Sequence, residues 1–371
     1  MRITRAIIHP DRLRRNIQAV RGHIGPKPLI CMPVKADAYG HGAVPVAAAA
    51  LEAGVQYLAV AAVSEGAELR KAGFRAPILL LSIPCPEELP EAAALELSPL
   101  VADREFAGDL ARAAAAAGKR LPVHLKVDTG MGRIGCPPGA AADLAAYIAA
   151  LPSLEYAGTA THLAAADSPA EVDVLYTKEQ LARFREALGD IRKAGLDPGI
   201  VHAANSGAVI LHNEAWFDMV RPGILLYGYP AVPGFPVLPV MELRSGIAFI
   251  KRVKPGESLS YGRTWTAAEE TLVATIPAGY GDGLPRGLSG KLSVYIRDRP
   301  YPLVGRICMD QCMVNLGPDS DIRRWEEVSI FGGPAPDAGA AAALLGTIPY
   351  EITCGINKRV PRVYEDAGTA I

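Results

Sequence analysis

What most restricts the fold of this chain is a rhythm. Apolar stretches that read as strands fall at 28–34, 57–62, 77–83, 98–102, 122–128, 154–162, 199–204 and 219–221. Stretches with helical spacing lie between most of them, at 43–53, 64–72, 86–95, 104–118, 139–150 and 173–194, with a shorter one near 207–212. Alternation of this kind implies a parallel sheet, and eight strand candidates over about 220 residues suit a closed (β/α)8 TIM barrel. A doubly wound open sheet is the competing architecture. No G-x-G-x-x-G follows the first strand, which argues against it.

Past Tyr229 the texture changes. Residues 230–239 are proline-rich and read as a linker. Beyond them, short alternating segments at 241–254, 271–276, 291–298, 301–316 and 325–331 predict a mainly β domain, with one helix at 335–345. With 371 residues the chain suits two domains. We expect a barrel over 11–229 and a β-rich domain over 236–371, with residues 1–10, which hold a short strand, pairing with the latter.

A net charge of −1 gives no reason to expect a nucleic-acid or membrane partner. The N-terminus lacks a signal-peptide core, so a cytoplasmic location is expected. The six cysteines form no CxxC pair and read as reduced thiols. Cys308 and Cys312, placed on one strand-like segment, would share a face and pack rather than bind metal; no metal site is expected.

Reacting groups of a barrel sit at the carboxyl ends of its strands and in the loops that follow. The first strand delivers Lys35 and Tyr39; the fifth delivers Lys126, Asp128 and Arg133. The sixth ends in His162, the seventh in Asn205 and Ser206, and the eighth in Arg221, followed by Gly223 and Ile224. A lysine at a buried strand end can lose its proton and attack an aldehyde. Loops after the last two strands are the usual phosphate site of a barrel. Together these would bracket pyridoxal 5'-phosphate, a flat cofactor bearing both a phosphate and an aldehyde. Each residue also has a plainer reading: Ser206 as a helix N-cap, His162 as a core histidine, Arg133 and Arg221 as ion-pair partners.

Seven motifs add a resemblance. VKADAYGHG around Lys35, KVDTGMGRIG ending at Gly135, RPGILLYG from Arg221, SYGRTW around Tyr261, PAGYGDG around Tyr280, GRICMDQCMV around Met309 and PYEITCGINKRVPRVY from Pro349 resemble those of bacterial alanine racemases, nearly end to end. The resemblance implies a homodimer that makes D-alanine for peptidoglycan, with active sites shared between subunits. It implies that Lys35 binds the cofactor as a Schiff base and is one of two acid/base groups. Tyr261 of the other subunit would be the second. Tyr39, Ser206, Gly223, Ile224 and Tyr350 would contact the phosphate, and Arg221 the ring nitrogen. Arg133 would lie by the cofactor and the substrate carboxylate, and His162 near the ring in support of Tyr261. The resemblance has the backbone of Met309 of the other subunit help bind the substrate carboxylate and Tyr280 of that subunit narrow the entry, with Asp310 nearby, and in similar proteins the lysine matching Lys126 is often carbamylated.

Two bases on opposite faces of Cα can exchange its proton without moving, Lys35 for the D enantiomer and Tyr261 for the L. A free tyrosine titrates near 10, so poising it near 7 needs about 4 kcal/mol of phenolate stabilisation. A decarboxylase of the same plan would want an acid at the ring nitrogen, against Arg221. A non-catalytic cofactor-binding barrel would lack the second domain. A broader racemase, acting on serine for instance, remains a third reading.

Overall fold

A computed structural model describes residues 2–366. The chain divides into two compact units. One comprises Leu13–Ala38 and Ala43–Val237; the other gathers the N-terminal segment through Arg12, Tyr39–Gly42 and the chain from Leu238 onward.

The first unit is a ring of eight parallel strands: Leu29–Pro33, Tyr57–Val60, Ile78–Leu80, Ser98–Val101, Leu121–Lys126, Leu154–Ala160, Ile200–His202 and Met219–Val220. The last pairs with the first. Asp218 N–H donates to Val201 O at 3.0 Å and Arg221 N–H to Ala204 O at 2.8 Å, which joins the last strand to the seventh and closes the barrel. Helices fill the crossovers, as the 3.6-residue spacing requires. Arg104–Ala116, for example, buries Phe106, Leu110 and Ala114 and starts where the Asp103 side chain accepts from Phe106 N–H. Each strand overlaps its expected slot, the fifth starting one residue early at Leu121, and each is one to four residues shorter. The extra apolar residues sit in the strand-end loops, where the site is built.

The second unit holds a nine-stranded sheet in the order Phe249–Val253, Thr271–Ile276, Cys312–Gly317, Arg299–Val304, Ser293–Ile296, Glu327–Phe331, Met241–Gly246, Arg5–Ile8 and Arg362–Tyr364. All pairs are antiparallel except the last, in which Arg5–Ile8 runs parallel to Arg362–Tyr364. A two-stranded ribbon, Ser258–Leu259 with Trp265–Thr266, and the helices Ala338–Leu345 and Pro349–Cys354 complete it.

Four sequence expectations need correction here. The stretch 241–254 is two strands, because the chain changes partners at Ile247 and Ala248, whose N–H groups go to Glu326 O and Thr275 O. The stretch 301–316 is also two, Arg299–Val304 and Cys312–Gly317. Cys308 therefore lies in the intervening loop and shares no strand face with Cys312. The helix expected at 335–345 starts at Ala338, where the Asp337 side chain caps Ala340 N–H, and the helix Pro349–Cys354 was not expected.

Candidate active site

Val34 continues the first barrel strand by donating to Ala59 O at 2.8 Å, and Lys35 follows. The next four residues, Ala36, Asp37, Ala38 and Tyr39, all have φ between +51° and +53°. This is one turn of left-handed helix without a glycine, a conformation costing roughly 1–2 kcal/mol per residue. Its surroundings hold it there. Ala36 N–H donates to Glu65 Oε1 at 2.7 Å, and Asp37 Oδ1 accepts from Ala43 N–H at 2.8 Å. Glu65 Oε2 also takes the N–H groups of Ala61 and Ala62, at 2.8 and 3.2 Å. One carboxylate thus ties the Lys35 turn to the loop after the second strand.

Arg221, at the end of the eighth strand, is buried, and among the described residues it pairs with no carboxylate. Its Nη1 donates to His202 Nδ1 at 2.5 Å; its Nη2 donates to Thr161 O at 2.8 Å, Ala203 O at 3.1 Å and His162 Nδ1 at 3.3 Å. Burial lowers its pKa only to about 10, so the guanidinium keeps its charge at neutral pH. It can only donate, so both imidazoles must present Nδ1 as acceptor and carry their proton on Nε2. His202 passes the pattern on: its Nε2 lies 3.0 Å from His124 Nδ1. Burial, reinforced by the Arg221 charge, holds His124 down to about 4 and His202 well below the usual histidine range, so both are neutral. Gly158 makes room for this pair, since a Cβ there would stand 2.3 Å from His124 Nδ1.

His162 marks the electrostatic centre. Burial and then the charges of Arg221, Arg133, Lys126 and Lys35 push its pKa to about 2. The groups responsible come from the ends of the first, fifth and eighth strands and the loop after the fifth. Lys126 ends its strand buried, with Nζ donating to Val127 O at 3.1 Å. Burial, then Arg221, lowers it to about 7. Asp128 Oδ1 accepts from Gly130 and Gly132 N–H at 3.0 Å each, folding the loop that carries the exposed Arg133.

After the seventh strand, the helix cap is Asn205, whose Oδ1 accepts from Ala208 N–H at 3.1 Å. The N-cap reading of Ser206 is therefore wrong: Ser206 is already inside the helix. Its Oγ accepts from Gly223 N–H at 2.9 Å and Leu225 N–H at 3.3 Å, beside the buried Ile224. Two backbone N–H groups that follow the last strand thus fix the Ser206 hydroxyl, whose own hydrogen is left to donate. That donor suits a phosphate.

The β-rich unit carries the remaining residues. Tyr39 and Tyr350 meet edge to face, with centroids 5.1 Å apart. Gly40 allows this approach, because a Cβ there would stand 2.1 Å from Thr353 O. Tyr261 opens a tight turn inside the ribbon and is 70% exposed; Tyr280 and Met309 are also exposed. Asp310 pairs with Arg359 at 2.8 Å. Sequence reasoning missed Glu65, His124, His202, Asp282 and Arg359. His124 stands two residues before KVDTGMGRIG and His202 three before Asn205, while Asp282 lies within PAGYGDG and Arg359 within the motif from Pro349. Glu65 stands three residues past Ala62, the spacing at which a glutamate reaches back over a helix start.

Residues 8–231 match the family model of the alanine racemase N-terminal domain, and residues 240–364 that of the C-terminal domain. An alanine racemase of Treponema denticola is 51% identical over 376 residues, covering 99% of each chain. The solved alanine racemase of Clostridium difficile superposes with a TM-score of 0.93 at 36% identity, covering 99% of this chain and 97% of that one. That of Bacillus anthracis, solved with bound L-Ala-P, gives 0.91 at 33% identity, covering 99% and 96%. With both family models matched over nearly its whole length, the chain belongs to the alanine racemase family.

Proposed function

We propose that this protein interconverts L- and D-alanine with pyridoxal 5'-phosphate held in the barrel, Lys35 and Tyr261 carrying the proton on opposite faces of the substrate. The observation that best supports this is the buried Arg221 guanidinium, which bonds to His202, His162 and two barrel carbonyls rather than to a carboxylate. A buried positive charge held in this way attracts an electron-rich cofactor and an anionic substrate. The side chains suit the cofactor. Lys35 offers an amine to its aldehyde. The Ser206 hydroxyl, the backbone of Gly223 and Ile224, and the hydroxyls of Tyr39 and Tyr350 would hold its phosphate. When bound, the cofactor supplies an electron sink for the charge left at Cα.

The chain's own groups then select the outcome. Arg221 would face the ring nitrogen; having no lone pair to offer, it keeps that nitrogen unprotonated. A shallower sink favours return of the proton to Cα, hence racemisation over transamination. Arg133 would take the substrate carboxylate, helped by the Met309 N–H. His162 bears its proton on Nε2, because Arg221 donates to its Nδ1. A hydrogen bond from that Nε2, backed by the Arg221 charge, would stabilise the Tyr261 phenolate. Tyr280 and Asp310 would shape the approach. D-alanine so made would supply peptidoglycan synthesis in the cytoplasm.

Tyr261, Tyr280 and Met309 are large side chains left exposed on the β-rich unit. That supports their delivery to the barrel of a second copy, in a homodimer with two shared sites. Co-expression of Lys35→Ala and Tyr261→Phe chains tests both claims. Each homodimer is expected to be nearly inactive. The heterodimer, purified through two tags, regains one intact site and with it about half the wild-type racemisation of L-alanine, followed by chiral chromatography. A heterodimer as inactive as its parents refutes the shared site.

A further inference from the structure

Three segments far apart in sequence meet on the β-rich unit: the turn Tyr280–Asp282, the loop through Cys308 and Met309, and Arg359. Asp282 is fully buried. Its Oδ1 accepts from Arg359 Nε at 2.7 Å and from Arg2 Nη2 at 2.6 Å, and its Oδ2 from Gly279 N–H at 2.9 Å. The far edge of the same guanidinium reaches the loop: Arg359 Nη2 donates to Met309 O at 3.3 Å and to Asp310 Oδ1 at 2.8 Å. Gly281 N–H also donates to Met309 O, at 2.8 Å, and Tyr280 N–H to Cys308 O, at 3.0 Å. There is no slack between turn and loop. A Cβ on Gly279 would stand 2.3 Å from Cys308 O, and one on Gly281 would stand 2.6 Å from Arg359 Nη2.

The direction of one N–H follows. A trans peptide points its oxygen and its hydrogen opposite ways. Cys308 O faces the Tyr280 turn, so the Met309 N–H in the same peptide plane faces away from it. Among the described residues nothing accepts that N–H.

We propose that Arg359, locked in place by Asp282, is a positioning residue for substrate binding: it holds the Met309 carbonyl while Tyr280 N–H holds that of Cys308, so that the backbone is pinned on both sides of Met309 and its N–H stands ready for the carboxylate of alanine. This rests on the reading of that N–H as a carboxylate donor. A lysine at 359 could still neutralise Asp282. It could not also span to Met309 O and Asp310, because it lacks the fork.

The test uses the full-length holoenzyme. In Arg359→Ala, KM for L-alanine and Ki for propionate are expected to rise about tenfold, the scale of one misaligned hydrogen bond to a charge, with kcat within about threefold of wild type. Arg359→Lys should recover much of the Tm while KM stays high. Gly281→Ala, which crowds the same contact from the other side, should copy the KM rise. If KM returns with Tm in Arg359→Lys, or if kcat falls and KM does not move, Arg359 only stabilises the fold and the proposal fails. Met309→Pro, checked for folding by circular dichroism, removes the N–H itself. Unchanged KM and Ki there would overturn the carboxylate reading and the proposal with it. A rise confined to Met309→Pro would overturn the proposal alone.

Discussion

Lys126 should take up carbon dioxide at neutral pH. It is 6% exposed, and burial, followed by the charge of Arg221, lowers its pKa from 10.5 to about 7. An ordinary lysine is neutral in roughly one molecule in three thousand at pH 7, whereas this one is neutral in about half. Only the neutral amine reacts: its lone pair forms a bond to the carbon of CO2, one N–H proton leaves to solvent, and a carbamate anion results. That anion would turn an unfavourable cation beside Arg133 and Arg221 into an ion-pair partner. We expect one carbonyl resonance per chain on adding 13C-bicarbonate, with uptake rising through a midpoint near pH 7 and lost in Lys126→Met. Stability gives a second readout. Between about pH 7 and the ordinary lysine range the unfolded chain holds the proton more tightly than the folded one. In carbonate-free buffer stability should therefore rise with pH across that window, by roughly 3–6 kcal/mol in all, and Lys126→Met should lack the slope. No label at any pH from about 6 to 9, together with a slope equal to that of Lys126→Met, would refute the reasoning.

Two further substitutions carry expectations. Arg221→Glu puts a proton acceptor where the guanidinium was and should raise the transamination side reaction, read as pyruvate formed from alanine; an unchanged rate would contradict the proposed role. Glu65→Ala removes the acceptor for three backbone N–H groups around the Lys35 turn, so about 2–4 kcal/mol of stability should be lost in urea titrations, and a loss under about 1 kcal/mol would show that the left-handed turn holds itself.

What could be read from the sequence, and what could not, follows from the range of each interaction. Barrel strands are short apolar runs with turns at fixed places, so Lys35, Lys126 and Arg221 were assignable to strand ends from local pattern. The left-handed turn after Lys35 was not: of the residues from Ala36 to Tyr39 only Asp37 is of a type that visits positive φ readily, and Glu65, which stabilises the turn, is supplied from another helix. Asn205 and Ser206 are both good caps, and only the backbone decides that Asn205 serves as one. The His124–His202 pair and the Arg359–Asp282 contact are similarly invisible, because each joins segments 78 and 77 residues apart. The family motifs around Tyr280, Met309 and Arg359 could be matched, but not why they recur together; backbone pressed against backbone at Gly279 and Gly281 supplies that reason.

The place of Arg5–Ile8 has a consequence for biosynthesis. Made before the barrel, this strand lies between Met241–Gly246 and Arg362–Tyr364 in the nine-stranded sheet. As the ribosome works it must wait, bare-edged, through the synthesis of the whole barrel before either neighbour emerges. The β-rich unit can then close only once Arg362–Tyr364 has emerged, leaving until then a nascent chain whose finished barrel carries an unpaired strand that chaperones would find attractive.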